Sequence, residues 1–278
     1  MKNETRIDDI NTIPDCHGVY FFNNDKKQPI YIGKSISLIS RIKSHIYQAK
    51  NIYKEKKIIT ESRSITWKKY SNELESLIME SYYVKLYLPK FNRKLRRQKK
   101  IYSILFNKEN KFIYKIIENK TKDFNFIQDS YGIFKSKNIA IKKIDDICDE
   151  FMVCKKTIGL EKGSGPCFGY QIKKCLGACI GIENIERNNK RFLEQIKFLK
   201  NICWPYKGAI GLTENKITKK HQNIICIENW IFIGIVKTKK NYYSKNFIFE
   251  NKNLEFDIDQ YKTIIKYISE KKVNIIEF

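Results

Sequence analysis

The sequence predicts an α+β protein: a small three-stranded sheet with flanking helices, then a cysteine-rich middle region, then a small α+β module at the C-terminal side. Three observations lead there. Two short apolar runs, 18–22 and 28–34, are joined by the polar stretch Asn23-Asn24-Asp25-Lys26-Lys27. Apolar residues recur at helical spacing over 36–49 and again over 73–88. Four of the eight cysteines crowd into residues 154–179 among glycines. Period-two runs with a turn between them specify a hairpin, and 3.6-residue periodicity specifies amphipathic helices.

The hairpin comes first. Asn and Asp accept left-handed turn conformations, and Pro29 fits an edge strand. Alternation puts Tyr20 and Phe22 on one face, with Val19 and Phe21 on the other. Gly18 and Gly33 allow close approach to the backbone at the strand ends. In the next helix Leu38, Ile42, Ile46 and Ala49 share a face, so Arg41 and His45 stand one turn apart. Residues 51–64 are polar and basic and read as an exposed loop or frayed helix. Residues 65–70 read as a third strand, and Ser71 or Asn72 caps a helix over 73–88. Its stripe is Leu74, Leu77, Ile78, Met79, Val84 and Leu88, with Glu80 beside it. This unit spans 1–95. The middle region, 96–203, opens with strands at 101–106, 111–117 and 125–133, then helices at 137–150 and 183–202. The C-terminal module, 204–278, has strands near 224–227, 231–237 and 246–250 and a helix over 257–270.

Hydrophobic content of 42% in 278 residues supports folded cores. No apolar run reaches the roughly 20 residues of a bilayer span, and no secretory h-region follows Met1, so a cytoplasmic location is expected. Net charge is +24. A chain rich in Asn, Ile and Lys carries excess lysine for compositional reasons alone, so clustering is the better guide. Between Lys85 and Lys100 stand eight basic residues and no acidic one. Such a one-sided patch fits a nucleic acid, with Lys85, Lys90, Arg93, Lys94, Arg96 and Arg97 as candidate contacts. Pro89 argues against a membrane-surface helix there.

Tyr20, Tyr31, Lys34, Arg41, His45 and Glu80 together supply a proton acceptor, phosphate clamps and an oxygen ligand for a hard cation. These are the parts of a phosphodiester hydrolase. Glu80 is the candidate ligand for Mg²⁺ or Mn²⁺. Tyr31 is the candidate general base; a phenol titrates near 10, so it needs neighbouring positive charge, for which Lys34 and the cation are placed. Tyr20 would hold the water or share the proton, Arg41 would clamp the phosphate, and His45 would assist or orient. The plain alternatives are a solvated helix glutamate, a core tyrosine and a helix-surface histidine. For Cys154, Cys167, Cys175 and Cys179 the spacing leaves a metal centre and free thiols open; zinc-ribbon C-x-x-C pairs are missing, and four irregularly spaced thiolates also suit an iron–sulfur cluster. Cys16, Cys148, Cys203 and Cys226 are expected to be ordinary thiols.

Residues 14–95 resemble the GIY-YIG nuclease domain of the UvrC family. The match runs through Gly18-Val19-Tyr20, Tyr31-Ile32-Gly33-Lys34, Ser40-Arg41-Ile42, Glu80 and Pro89-Lys90-Phe91-Asn92, with His17 where that pattern usually has proline. The stretch 165–172 with Cys175-Leu176-Gly177-Ala178-Cys179 resembles the cysteine-rich segment of the same family, in some members of which a 4Fe–4S cluster is reported. The resemblance implies a structure-specific DNA endonuclease of nucleotide excision repair that cuts damaged double-stranded DNA on the 3′ side of lesions marked by UvrA and UvrB. It also implies that Asn92 positions the substrate or Tyr31. The UvrB-binding hairpin, helix-hairpin-helix repeats and second nuclease domain of long members are not visible, so a shorter, single-incision homologue is expected. A restriction or homing endonuclease, or a non-catalytic DNA-binding metal-cluster protein, are the rivals.

Overall fold

The computed structural model describes residues 4–6, 9–93, 100–107, 113–121, 129–201, 203–214, 223–239, 242–252 and 254–278. The chain divides into two compact units, one of residues 1–97 with 206–278, the other of 98–205.

The first unit begins with β1 (Glu4–Arg6), β2 (Gly18–Asn23), β3 (Pro29–Ser35), α1 (Leu38–Gln48), α2 (Tyr53–Glu61), β4 (Ser64–Lys69) and α3 (Glu73–Tyr87). The sheet is antiparallel in the order β1-β4-β2-β3. It has four strands where three were expected, because the leading segment pairs Glu4–Arg6 with 64–66. Every residue of β2 is buried. Tyr20 and Phe22 pack with Leu38, Ile42 and Ile58 of α1 and α2, while Phe21 meets Tyr83 of α3 edge-on at 5.2 Å. Helices on both faces leave a central strand no polar side, so both halves of the alternation are apolar. Residues 51–64, read as a loop or frayed helix, hold α2, whose Ile58 is fully buried. Asn72 caps α3, accepting the Glu75 N–H at 2.8 Å, and Leu88 closes it in the left-handed conformation.

The second unit holds β5 (Lys100–Asn107), β6 (Ile113–Lys120), β7 (Tyr131–Phe134), α4 (Lys137–Glu150), the single turn α5 (Phe168–Gln171) and α6 (Ile185–Ile196). Its sheet runs β6-β5-β7. Ile104, Ile144, Ile147, Phe192 and Ile196 centre its core. The cysteine-bearing loop lies between α4 and α6.

The first unit is completed by β8 (Ile210–Glu214), β9 (Asn223–Glu228), β10 (Ile231–Lys239), β11 (Tyr242–Glu250), α7 (Ile258–Ser269) and β12 (Val273–Glu277). These five strands form one antiparallel sheet, β11-β10-β9-β8-β12. Asp257 caps α7 through the N–H groups of Asp259 and Gln260. Strands β8 and β12 were absent from the sequence reading. No helix among the described residues is long and apolar enough to cross a membrane.

Candidate active site

Five of the candidate residues meet between β2, β3, α1 and α3. The Tyr20 hydroxyl lies 2.7 Å from His45 Nε2, and His45 Nδ1 lies 2.5 Å from Glu55 Oε2. A carboxylate can only accept, so Nδ1 carries the proton and Nε2 accepts the Tyr20 O–H. The Tyr20 ring stands 6.3 Å from that of Tyr31 centre to centre, and the Arg41 charge acts on both phenols. Tyr31 stands 5.3 Å from the His45 ring centre to centre, and the Lys54 ammonium lies over the Tyr31 ring, 5.3 Å from its centroid. Glu80 Oε1 accepts the Lys34 N–H at 3.2 Å, and its charge acts on both tyrosines.

Local chemistry explains this convergence. One helical turn separates Arg41 from His45, and Ser37 starts α1 by accepting the Ser40 N–H, which aims both side chains at β2. Gly33 has another use than turn formation: a Cβ there would come within 2.3 Å of the Tyr20 oxygen. The glycine is the space in which the hydroxyl sits. Asn92 grips β3 at both backbone groups of Ile32, accepting its N–H at 2.9 Å and donating to its carbonyl at 2.8 Å. It thus fixes the strand between Tyr31 and Gly33.

The electrostatics depart from expectation in one respect. Lys34 was placed to lower the proton affinity of Tyr31, but its ammonium pairs with Glu73. Burial and then Glu80 raise the pKa of Tyr31, and Arg41 is the group that opposes them. Burial raises that of Tyr20 well above the usual phenol value. Burial pushes the Glu80 carboxyl up to about 7. A buried carboxylate bonded to a backbone N–H and pressed toward neutrality is a site whose chemistry fits a hard cation, which would restore its charge.

Burial also lowers the pKa of His45, against the opposing pull of Glu55. The folded chain therefore binds this proton at lower pH than the unfolded chain, whose histidine titrates near 6.5. Stability contributed by neutral His45 is complete above that value and falls as pH drops below it, by at most about 1.4 kcal/mol per unit. Thermal unfolding between pH 7.5 and 5 should show this loss, and His45→Asn should flatten it; an unchanged slope would remove His45 from the account.

Glu55 was missed in the sequence. It is the sole acidic residue in the basic run 41–60, and that isolation was the available signal. The candidates of the basic patch differ in their surroundings. Lys85 is largely buried and pairs with Asp257 at 2.9 Å and Asp259 at 3.2 Å, so its charge is spent inside the protein. Lys90 pairs with Glu61, Arg93 is exposed, and Lys94, Arg96 and Arg97 lie outside the described residues.

In the second unit the four cysteines converge. The sulfurs of Cys154, Cys167 and Cys175 lie within 4.8 Å of one another, with Cys154 and Cys167 at 3.8 Å. Cys179 Sγ accepts the Cys167 N–H at 3.4 Å, and Cys175 Sγ accepts the Gly177 N–H at 3.3 Å. Burial raises Cys167 and Cys179 to about 11; at Cys154 burial is outweighed by hydrogen bonds from neighbouring backbone and thiols, so its pKa is lowered. Backbone N–H groups aimed at sulfur favour thiolate, so the donor set fits a metal. A sulfur edge of about 3.8 Å is that of one tetrahedral ion with bonds of about 2.3 Å. A four-iron cluster requires the same cage to be wider.

Three comparisons bear on this geometry. Residues 16–93 match the UvrC-like GIY-YIG domain, and residues 101–198 match the UvrC/Cho excinuclease middle domain. Excinuclease Cho of Escherichia coli O6:H1 is 30% identical over 273 residues, 96% of this chain and 88% of that one. UvrABC system protein C of Mesoplasma florum is 28% identical over 271 residues, 96% of this chain and 43% of that one. A crystal structure of the GIY-YIG N-terminal endonuclease domain of UvrC from Thermotoga maritima, bound to its catalytic divalent cation, magnesium, is 35% identical over 30% of this chain and 90% of its own, with a TM-score of 0.28.

Proposed function

Because the chain belongs to the UvrC/Cho excinuclease family and is an endonuclease by its GIY-YIG domain, we propose that it makes the 3′-side incision of nucleotide excision repair. Its substrate is damaged double-stranded DNA on which UvrB has been loaded by UvrA. The observation that carries the chemistry is the hydrogen-bonded series Tyr20, His45, Glu55 with Tyr31, Arg41 and Glu80 beside it. Glu80 would hold a divalent cation, magnesium or manganese, which would supply charge stabilisation at the scissile phosphate. The Tyr31 hydroxyl takes a proton from the attacking water while passing its own to Tyr20. Tyr20 passes its proton to His45 Nε2, and Glu55 stabilises the imidazolium. A phenol with a raised pKa can act this way because the final acceptor is a neutral imidazole whose proton Glu55 stabilises from the other ring nitrogen. Arg41 offers its guanidinium to the phosphoryl oxygens, and Asn92 keeps Tyr31 in line by holding Ile32.

The test is nicking of a lesion-bearing duplex with Mg²⁺ or Mn²⁺, with and without UvrA and UvrB. A 3′-side nick that needs both proteins and the cation is expected. Cutting of undamaged DNA at a fixed sequence would favour a restriction or homing enzyme, and cation-independent binding without a nick would leave only a non-catalytic role.

We propose further that Cys154, Cys167, Cys175 and Cys179 hold a metal that organises their loop, a 4Fe–4S cluster or a single zinc ion. Protein purified without oxygen should contain iron with sulfide, or zinc, and Cys175→Ser should lose that metal and lower the melting temperature of the second unit together. Metal-free protein as stable as the variant would end the idea.

A further inference from the structure

The C-terminal module meets α3 along one stripe of that helix. Glu214 accepts the Leu74 N–H at 2.8 Å, supplying a partner for the first turn. Asn223 donates to Glu75 at 2.8 Å, and Gln260 donates to the Ile78 carbonyl at 3.3 Å. Asp257 Oδ2 accepts the Ser81 hydroxyl at 3.0 Å and pairs with Lys85 at 2.9 Å. The ring of Phe249 stands 5.0 Å from that of Tyr82. Positions 74, 78, 81 and 85, flanked by 75 and 82, lie on one face of a helix. Glu80 is off that face, turned toward the backbone of Lys34.

We propose that Asp257, with Gln260 and Glu214, are positioning residues of the nuclease reaction: they fix the axial place and rotation of α3 and through it the Glu80 carboxylate. This rests on the reading that Glu80 holds the cation. Apolar contacts tolerate small slips, whereas hydrogen bonds at these lengths weaken steeply with misalignment, so a polar seam sets register. Asp257 shows the division of labour. Its Oδ1 caps α7 by accepting from Asp259 and Gln260, while Oδ2 crosses to α3. Asp257→Asn keeps the cap and the volume and puts an NH₂ group against the Lys85 ammonium.

The full chain is used throughout. Mn²⁺ binding to DNA-free protein is measured by calorimetry, beside the Mg²⁺ dependence of nicking. Asp257→Asn and Gln260→Ala should each raise the Mn²⁺ Kd and the half-saturating Mg²⁺ concentration fivefold or more, with metal-free DNA affinity unchanged. Folded variants that bind Mn²⁺ with the wild-type Kd would overturn the proposal. Should Asp257→Asn fail to fold, Gln260→Ala, which removes one donor to a helix carbonyl, decides alone. Wild-type protein that binds Mn²⁺ and does not nick overturns the nuclease reading, while the variants' Kd still decides this one.

Discussion

Glu80→Gln should yield a protein that is more stable and inactive. The substitution keeps the shape and lets an amide oxygen accept the Lys34 N–H in place of Oε1. What it removes is the charge. Burial raises the carboxyl from 4.5 to about 7, so the folded chain holds that proton where the unfolded chain has lost it. Ionising Glu80 therefore costs stability progressively between those values, and at pH 7 in metal-free buffer the glutamine should recover up to about 3 kcal/mol. Nicking should meanwhile fall about a thousandfold or more, since the charge stabilisation of the scissile phosphate goes with the cation. DNA affinity, carried by lysines and arginines, should hardly change. Denaturant melts with and without Mg²⁺, set beside single-turnover nicking, read both effects. Magnesium should stabilise the wild type and not the variant; a variant that cuts normally would take Glu80 out of the site.

The second large effect concerns the tyrosines and Arg41. Tyr31→Phe, Tyr20→Phe and Arg41→Ala should each slow single-turnover nicking by about 10²- to 10⁴-fold. Their stabilities should differ. Tyr20→Phe leaves His45 Nε2 buried opposite a ring carbon and should cost about 1–3 kcal/mol. Tyr31, less buried than Tyr20, should cost less. Equal rates for Tyr31→Phe and wild type, with Tyr20→Phe impaired, would reverse the two roles and break the proposed proton series.

The parts of this site that the sequence disclosed are those whose geometry is local. Arg41 and His45 lie one helical turn apart, and Asn72, one of the two candidate caps, starts the helix that follows it. Glu80 could be placed on a helix but not aimed. Its neighbour Lys34 was read as free charge, and the pairing with Glu73 depends on how α3 crosses β3, which no short window encodes. The second apolar face of β2 was hidden for a related reason: alternation of Tyr, Phe and Val cannot tell one buried side from two. Lys85 is the clearest misreading. In the linear sequence it heads a run of cations, yet its carboxylate partners, Asp257 and Asp259, stand 172 and 174 residues away.

That distance along the chain has a consequence for synthesis. Ser81 leaves the ribosome 176 residues before Asp257, an interval of roughly 10–35 s at ordinary elongation rates. For that time the nascent helix carries Glu75, Ser81 and Lys85 without Asn223 or Asp257 to receive them. The earliest-made domain is therefore finished by a later-made one, and a nascent polypeptide arrested between the two exposes a polar seam on a hydrophobic helix, a form suited to capture by chaperones and proteases rather than to cutting DNA.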